Sequence, residues 1–361
     1  MAPEIEIPTT HSALTFTRRG DPLRVLTITH DFPTPKPSSL GRGEALIKVS
    51  AVSTDAGVTF IIKAIPHLTS KPWIPEINFA GTIVAMGPPS SDDSNGLHVG
   101  DEIVGVRANP FSRYNGAMQS YLVSPVNMLV RKPKSTSMIE ASGLPAMGCT
   151  ALQALELARV KRGDKVLVTG GSGGLGNMCV QLARALVGES GIVVSTCSSQ
   201  NSELVKSLGA DETIDYRVHD PLYEYLKKHH SSAPFNAILD VAGNPSEMFT
   251  SSPEFLTESG MFVVLGNMKA LASASLLALL SGLLIFQLNR FRPVFLGGTP
   301  RKCIFYSATP NSKDLKRICD MVEAGQVKSL VDSVWKFEDV IKAYERGLSQ
   351  RARGKIVVTF E

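Results

Sequence analysis

The chain has 361 residues, enough for two domains of ordinary size that each bury a core. Hydrophobic residues make up 43% of it and charged residues 19%, a balance that excludes disordered and fibrous classes. Its 37 basic and 33 acidic residues leave a net charge of +4, scattered without a basic tail or stripe, which argues against nucleic acid as a partner.

The first 148 residues read as short alternating runs (ALIKVSAV, AGTIVAMG, DEIVGV) separated by Pro, Gly, Ser and Asp clusters such as PTPKPSSLGRG. This pattern predicts a small, largely antiparallel β domain over 1–148. From residue 149 the texture changes to helices alternating with the apolar strands KVLVTG, GIVVSTC, NAILDVAG, MFVVLG and CIFYS, which predicts a parallel sheet wound with helices over 149–326. The remainder, 327–361, returns to the earlier style and ends in the strand KIVVTF, so it is expected to complete the β domain. The fold class is therefore α/β, a mostly β domain joined to a doubly wound parallel sheet. Five cysteines, at 149, 179, 197, 303 and 319, form neither a CxxC pair nor a closely spaced even framework. They support neither a disulfide scaffold nor structural zinc, and a reducing cytosolic setting is expected.

The sharpest chemical signal is KVLVTGGSGGLG at Lys165 to Gly176, followed by NMCVQLARALV. A strand runs into a glycine turn and the turn into a helix. Small residues there let the backbone approach a pyrophosphate, and the first helical turn offers free N–H groups and the positive end of the dipole. Gly171, Ser172, Gly173, Gly174, Leu175 and Gly176 are the candidate phosphate cradle. The end of the next strand, where a carboxylate would bind the ribose hydroxyls of NAD, reads Ser195, Thr196, Cys197, Ser198, Ser199, Gln200 and Asn201. With no acid in that run, NADPH is the expected cofactor, with Ser198, Ser199 and Asn201 near its 2′-phosphate. Capping of the helix that follows is the plainer role for the same residues. Tyr223 and Lys227 have the Tyr-x-x-x-Lys spacing of short-chain dehydrogenases, but they lie too close behind the glycine turn, and the segment reads as a solvated helix face.

GEALIKVSAVS, FAGTIVAMG, VGDEIVGV, GAMQSYLV, LPAMGCTALQAL, GDKVLVTGGSGGLG, SLGADETIDY, ILDVAG and RARGKIVV follow one another in an order and spacing that resemble the medium-chain dehydrogenase/reductase superfamily, in its zinc-independent, quinone oxidoreductase-like branch. The resemblance spans essentially the whole chain. It implies a GroES-like domain and a Rossmann domain with an active cleft between them, and in many members a homodimer. It further implies that Tyr216 lies against the adenosine phosphate, that Gly266 and Asn267 meet the nicotinamide, that Thr150 lies near the carboxamide, and that Arg353 and Lys355 close on the cofactor. The plainer readings are a core tyrosine, a turn, a helix cap and surface charge.

Departures from that pattern carry information too. Where zinc-dependent relatives have a cysteine, a Gly-His-Glu triplet and a later cysteine or acid, this chain has Asp55, then Glu76, Ile77 and Asn78, then Ala146. Isoleucine and alanine cannot bind zinc. The resemblance then implies hydride transfer to a conjugated carbon in a lipophilic quinone or enone, without metal. Asp55 and Val58 replace the usual Asn and Asp of the branch, which leaves Thr54 and Asp55 as candidate catalytic residues and a turn-stabilising aspartate as the alternative. Lys63 and His67 read as surface or buried packing residues. An enoyl-thioester reductase for lipid or polyketide assembly stays open, as does a scaffold that keeps the fold without turnover. Ala270 to Asn289 carries no charge over 20 residues. Its place inside the nucleotide domain favours a buried or cleft-lining helix and leaves peripheral membrane contact open.

Overall fold

The computed structural model describes residues 6–66, 71–90, 96–107, 116–241, 245–265, 284, 287–288 and 291–360. The chain divides into two compact units, Met1–Cys149 with Thr309–Glu361, and Thr150–Ala308.

The first unit opens with β1 (Thr10–Thr15) paired antiparallel to β2 (Thr27–Pro33). Its main sheet is built from β3 (Glu44–Ser53), β4 (Asn78–Met86), β5 (Glu102–Val106), β6 (Tyr121–Pro125) and β7 (Leu129–Arg131). The second unit follows with β8 (Lys165–Val168), β9 (Ile192–Cys197), β10 (Glu212–Asp215), β11 (Phe235–Asp240), β12 (Leu256–Val264) and β13 (Lys302–Phe305). The chain then returns to the first unit with β14 (Val331–Lys336) and β15 (Lys355–Thr359).

In the first unit the strand order is β14-β15-β3-β4-β5-β7, with β6 also on β3. The long strand β3 is the spine: EALIKVSAVS buries nearly every residue because partners flank it on both sides. Ile47, Val49, Val52, Phe79 and Ile83 from β3 and β4 form one core with Ile356 and Val358 of β15 and with Val340 and Tyr344 of helix Val340–Leu348. Helix Ser312–Glu323 also belongs to this unit, although its pattern reads as a continuation of the strand–helix alternation. Its apolar stripe explains the placement, since Leu315 and Cys319 bury themselves against Val104, Val130 and Cys149.

In the second unit the order is β10-β9-β8-β11-β12-β13, every pairing parallel. Strands such as KVLV and FNAILD bury nearly every residue because such sheets are covered on both faces. The order reverses direction between β8 and β11, and in open sheets of this kind ligands bind beyond the carboxyl ends of the strands at that point. Those two ends are tied together: the Thr169 hydroxyl donates to Asp240 Oδ1 at 2.7 Å and accepts from the Val241 N–H at 2.8 Å.

The last strand sits inside the first sheet, with β14 on one side and β3 on the other. Deleting residues 355–361 is therefore expected to abolish soluble expression of the chain. A truncated protein with normal yield and an unchanged melting temperature would contradict that placement.

Candidate functional site

In the second unit the turn between β8 and helix Gly174–Val187 is shaped by close backbone approach. Gly170 has φ +68°, the left-handed region that favours glycine. A Cβ on Gly176 would fall 2.0 Å from the Gly170 carbonyl oxygen, and one on Gly171 would fall 2.1 Å from Ser195 Oγ. Neither position tolerates a side chain. Gly173 is the N-cap of a helix of 14 residues, so the first-turn N–H groups have no acceptor within the helix. Ser172, Gly173, Gly174 and Leu175 are half-buried at this helix start.

The end of β9 folds back toward the turn. The Asn201 amide donates to Ser172 Oγ at 3.1 Å and to Ser198 Oγ at 3.2 Å, so three of the sequence-derived candidates meet. Asn201 precedes helix Ser202–Ser207, yet its side chain makes no capping bond. Ser199 is held differently: its N–H donates to Asp215 Oδ2 at 2.7 Å, and its hydroxyl donates to the same oxygen. A carboxylate thus reaches the end of β9 from the neighbouring strand, although the run from Ser195 to Asn201 contains none. Asp215 is held below the usual carboxylate range by the Ser199 hydroxyl and the Arg217 N–H, so it stays ionised. Arg217 supplies the opposite charge, exposed beside the half-exposed ring of Tyr216 and 5.7 Å from its centroid. Sequence reading missed Asp215 and Arg217. The flanking signal was the TIDYR string, whose acid and base fall where β10 lies level with β9, Asp215 opposite Cys197.

Other candidates scatter. Thr150 does not open its helix but lies well inside Pro145–Leu157, so the helix-cap reading of it is corrected. Gly266, Asn267 and His67 lie outside the described residues, as does most of 270–289. Of that stretch Leu284, Gln287 and Leu288 are described; they line an open groove with Phe291, Arg292 and Pro293. Among the described residues no helix is long and apolar enough to cross a membrane. Lys227 pairs with Glu254 at 3.1 Å and Tyr223 packs against the core, which accounts for the Tyr-x-x-x-Lys spacing by structure alone. All five cysteines are free and buried, and burial pushes the Cys149 thiol up to about 12.

In the first unit the sequence-derived pair Thr54 and Asp55 stands at the start of helix Ala56–Ala64, with Asp55 as its N-cap. Asp55 Oδ1 accepts from the Gly57 N–H at 2.8 Å, so the turn-stabilising role is real. Three more groups converge there. Lys355, read from the sequence as facing the cofactor, is buried, and its ammonium donates to the Thr54 carbonyl at 2.6 Å and lies 4.0 Å from Asp55 Oδ2. Glu76 has no exposed surface; its Oε2 accepts from the Asp55 N–H at 2.8 Å and its Oε1 is bonded to the Tyr344 hydroxyl at 2.6 Å. Arg353, by contrast, is exposed, and its N–H donates to Asp332 Oδ1 at 2.7 Å. Asn78 and Ala146, two further positions of the zinc pattern, also meet, the Ala146 N–H donating to Asn78 Oδ1 at 2.7 Å. Among the described residues no group of three His, Cys, Asp or Glu side chains is placed to hold a metal ion.

Glu76 has φ +71°, a conformation that costs a residue with a Cβ about 1–2 kcal/mol. Burial raises its pKa to about 8 and Asp55 adds to the rise, against the Tyr344 hydroxyl, Lys355 and the Asp55 N–H, which lower it. Near neutral pH the balance of these effects favours the carboxylic acid form of Glu76. The folded state keeps this proton up to about pH 8, while a solvated glutamate releases it near 4.5. Stability from this group is therefore complete below the lower value and lost as pH rises through the upper one. The melting temperature should fall between about pH 5 and pH 8, and Glu76→Gln should flatten that fall. Parallel melting curves for the two proteins across this range would refute the raised pKa.

Comparison with known proteins places these features. Residues 41–134 match the family model described as the alcohol dehydrogenase GroES-like domain, and residues 208–358 match the model described as zinc-binding dehydrogenase. The trans-enoyl reductase poxH of Penicillium oxalicum is 34% identical, over 97% of this chain and 98% of its own. The medium chain reductase pydE of an Acremonium species is 30% identical, over 94% of this chain and 96% of its own. Among solved structures, the quinone oxidoreductase from Coxiella burnetii superposes with a TM-score of 0.76 at 23% identity, covering 97% of this chain and 99% of that one. A mycobacterial protein complexed with NADPH superposes with a TM-score of 0.75 at 22% identity, covering 97% and 100%. With a GroES-like sheet, a parallel dinucleotide sheet and end-to-end relatives of these kinds, the chain belongs to the medium-chain dehydrogenase/reductase superfamily and is an oxidoreductase that uses a nicotinamide cofactor.

Proposed function

We propose that the protein is a zinc-independent, NADPH-dependent reductase of conjugated double bonds in lipophilic quinones or enones. The observation that carries this reading is the glycine turn, which packs Gly171 against Ser195 and Gly176 against Gly170 and sets the start of a 14-residue helix just beyond β8, where its first N–H groups suit a pyrophosphate. Ser172, Gly173, Gly174 and Leu175 would hold the pyrophosphate at the helix start. Ser198, Ser199, Asn201, Tyr216 and Arg217 would surround the adenosine ribose, with the guanidinium facing the 2′-phosphate that NADH lacks. Thr150, Gly266, Asn267 and Arg353 keep the cofactor roles that the family resemblance gives them. When bound, NADPH supplies a hydride to the electron-poor end of a conjugated double bond, and a proton from solvent completes the other end. Thr54 and Asp55 are the polar groups assigned to orienting the acceptor, a task in which position matters more than acid strength.

Ile77 and Ala146 stand at two positions that bind metal in zinc-dependent relatives, so the side chains there favour an acceptor that needs no Lewis acid. An enoyl thioester is the second acceptor class. It is favoured by the end-to-end likeness to proteins named trans-enoyl reductases, at 34% identity for the one from Penicillium oxalicum and 29% for the one from Aspergillus terreus.

The test is a fluorescence titration with NADPH and NADH, followed by absorbance at the nicotinamide band with a panel of quinones, enones and an enoyl thioester. NADPH should bind more tightly than NADH, and be consumed only when an acceptor is present. Arg217→Ala should raise the Kd for NADPH about tenfold through loss of a charge-assisted hydrogen bond, and leave that for NADH unchanged. Gly176→Ala should weaken both cofactors. Equal affinity for the two cofactors in wild type and Arg217→Ala would remove the NADPH assignment. Consumption with the enoyl thioester alone would select the second acceptor class.

A further inference from the structure

We infer that Glu76 is a positioning residue for the Thr54–Asp55 turn, holding one side of a peptide group whose other side is held by Lys355. The inference rests on the reading of Thr54 and Asp55 as the groups that orient the acceptor. The Thr54 C=O and the Asp55 N–H belong to the same peptide unit and point in opposite directions. Lys355 Nζ donates to the carbonyl at 2.6 Å, and Glu76 Oε2 accepts from the N–H at 2.8 Å. The peptide is therefore fixed against rotation about its long axis by a buried ammonium on one side and a buried carboxyl group on the other.

The surrounding bonds leave the turn little other freedom. The Thr54 N–H donates to the Ile356 carbonyl at 2.9 Å, the Thr59 N–H donates to the Asp55 carbonyl at 3.1 Å, and Gly57 N–H occupies Asp55 Oδ1. Asp55 Oδ2 is left without a hydrogen-bond partner among the described residues, with the Lys355 ammonium 4.0 Å away. The clamp thus holds one carboxylate oxygen buried with an unused acceptor site.

The backbone at Glu76 explains why this is a role for its side chain. A φ of +71° suits glycine, so glutamate is strained there, and an acid without exposed surface adds a desolvation cost. Glycine would remove the backbone strain, but it would leave a cavity and the Tyr344 hydroxyl without its partner. What glycine cannot do is reach the Asp55 N–H. The charged and titratable groups facing Glu76 come from three elements: Asp55 from the start of helix Ala56–Ala64, Lys355 from β15, and Tyr344 from helix Val340–Leu348.

The experiment compares wild type with Glu76→Gly, Glu76→Gln and Tyr344→Phe by two readouts. The first is steady-state reduction of a naphthoquinone and of an enoyl thioester by NADPH. Glu76→Gly should lower the melting temperature and keep the KM for NADPH, while kcat of the folded protein falls at least about tenfold. Glu76→Gln, which still presents an oxygen to the Asp55 N–H, should restore most of the lost kcat. The second readout needs no turnover: the amide resonance of Asp55 in protein labelled with 15N-aspartate, assigned by its loss in Asp55→Asn. In wild type it should shift with a midpoint near pH 8 as Glu76 ionises, and in Glu76→Gln it should not. Tyr344→Phe removes a bond that favours the ionised acid, so its midpoint should move higher. An active wild type with a fully active Glu76→Gly overturns the inference, and so does an Asp55 amide that is blind to Glu76. A wild type that reduces neither acceptor while its Asp55 amide titrates as described would instead overturn the functional reading and leave the clamp standing.

Discussion

The antiparallel pairing of β15 with β3 is the interaction on which the first unit depends. It sets Val357 opposite Ser53 and Val358 opposite Val52, joining segments 301 residues apart in the case of Lys355 and Thr54. Closing so long a loop is costly in chain entropy, and burial of Ile356, Val357 and Val358 offsets it. The pairing also fixes chemistry. In this register Lys355 arrives beside the Thr54 carbonyl, and the burial of four consecutive residues from Lys355 to Val358 holds it there.

The two units solve the problem of presenting polar groups by opposite means. In the second unit the cradle is made by leaving side chains out: Gly176 brings backbone close to backbone, Gly171 makes room for the Ser195 side chain, and the helix start provides N–H groups. In the first unit Asp55 is presented by putting charged residue types in. Lys355 and Glu76 lie buried on either side of one peptide, and their environment favours the protonated form of Glu76 near neutral pH. A buried neutral acid facing an ion pair of Asp55 and Lys355 is far less costly than a third buried charge would be.

Much of this was legible in the sequence, for reasons that differ from residue to residue. The glycine turn could be read because strand, turn and helix are contiguous, so local pattern and final geometry coincide. The completion of the first sheet by KIVVTF could be read because β15 has the composition of a buried strand. The Asp215 contact with Ser199 could not, since it depends on β10 lying level with β9, which is a property of the sheet. Nor could the place of helix Ser312–Glu323, whose amphipathic pattern would suit either unit. Lys355 showed only its charge and its nearness to the chain end; its burial follows from the pairing of β15 with β3. Glu76 was legible only as the residue that stands where zinc-dependent relatives have the glycine of Gly-His-Glu. Its backbone angle and its bond to Asp55 belong to the fold.

That last case bears on how a superfamily site changes its chemistry. Where side chains such as Ile77 and Ala146 cannot coordinate zinc, nothing requires the surrounding positions to serve a metal, and they become available for holding the chain itself. Here Asn78 takes the Ala146 N–H and Glu76 takes the Asp55 N–H, so the side chains at these positions bond to backbone. Such bonds leave the electron demand of the reaction untouched and act on geometry alone. A reaction whose acceptor is already electron-poor by conjugation loses little from the change, because its barrier responds to alignment of donor and acceptor. An alcohol or an isolated ketone would lose a great deal. In the proposed reading Ile77 and Ala146 suit a conjugated acceptor, while Glu76, in place of a glycine, holds the turn that carries Asp55.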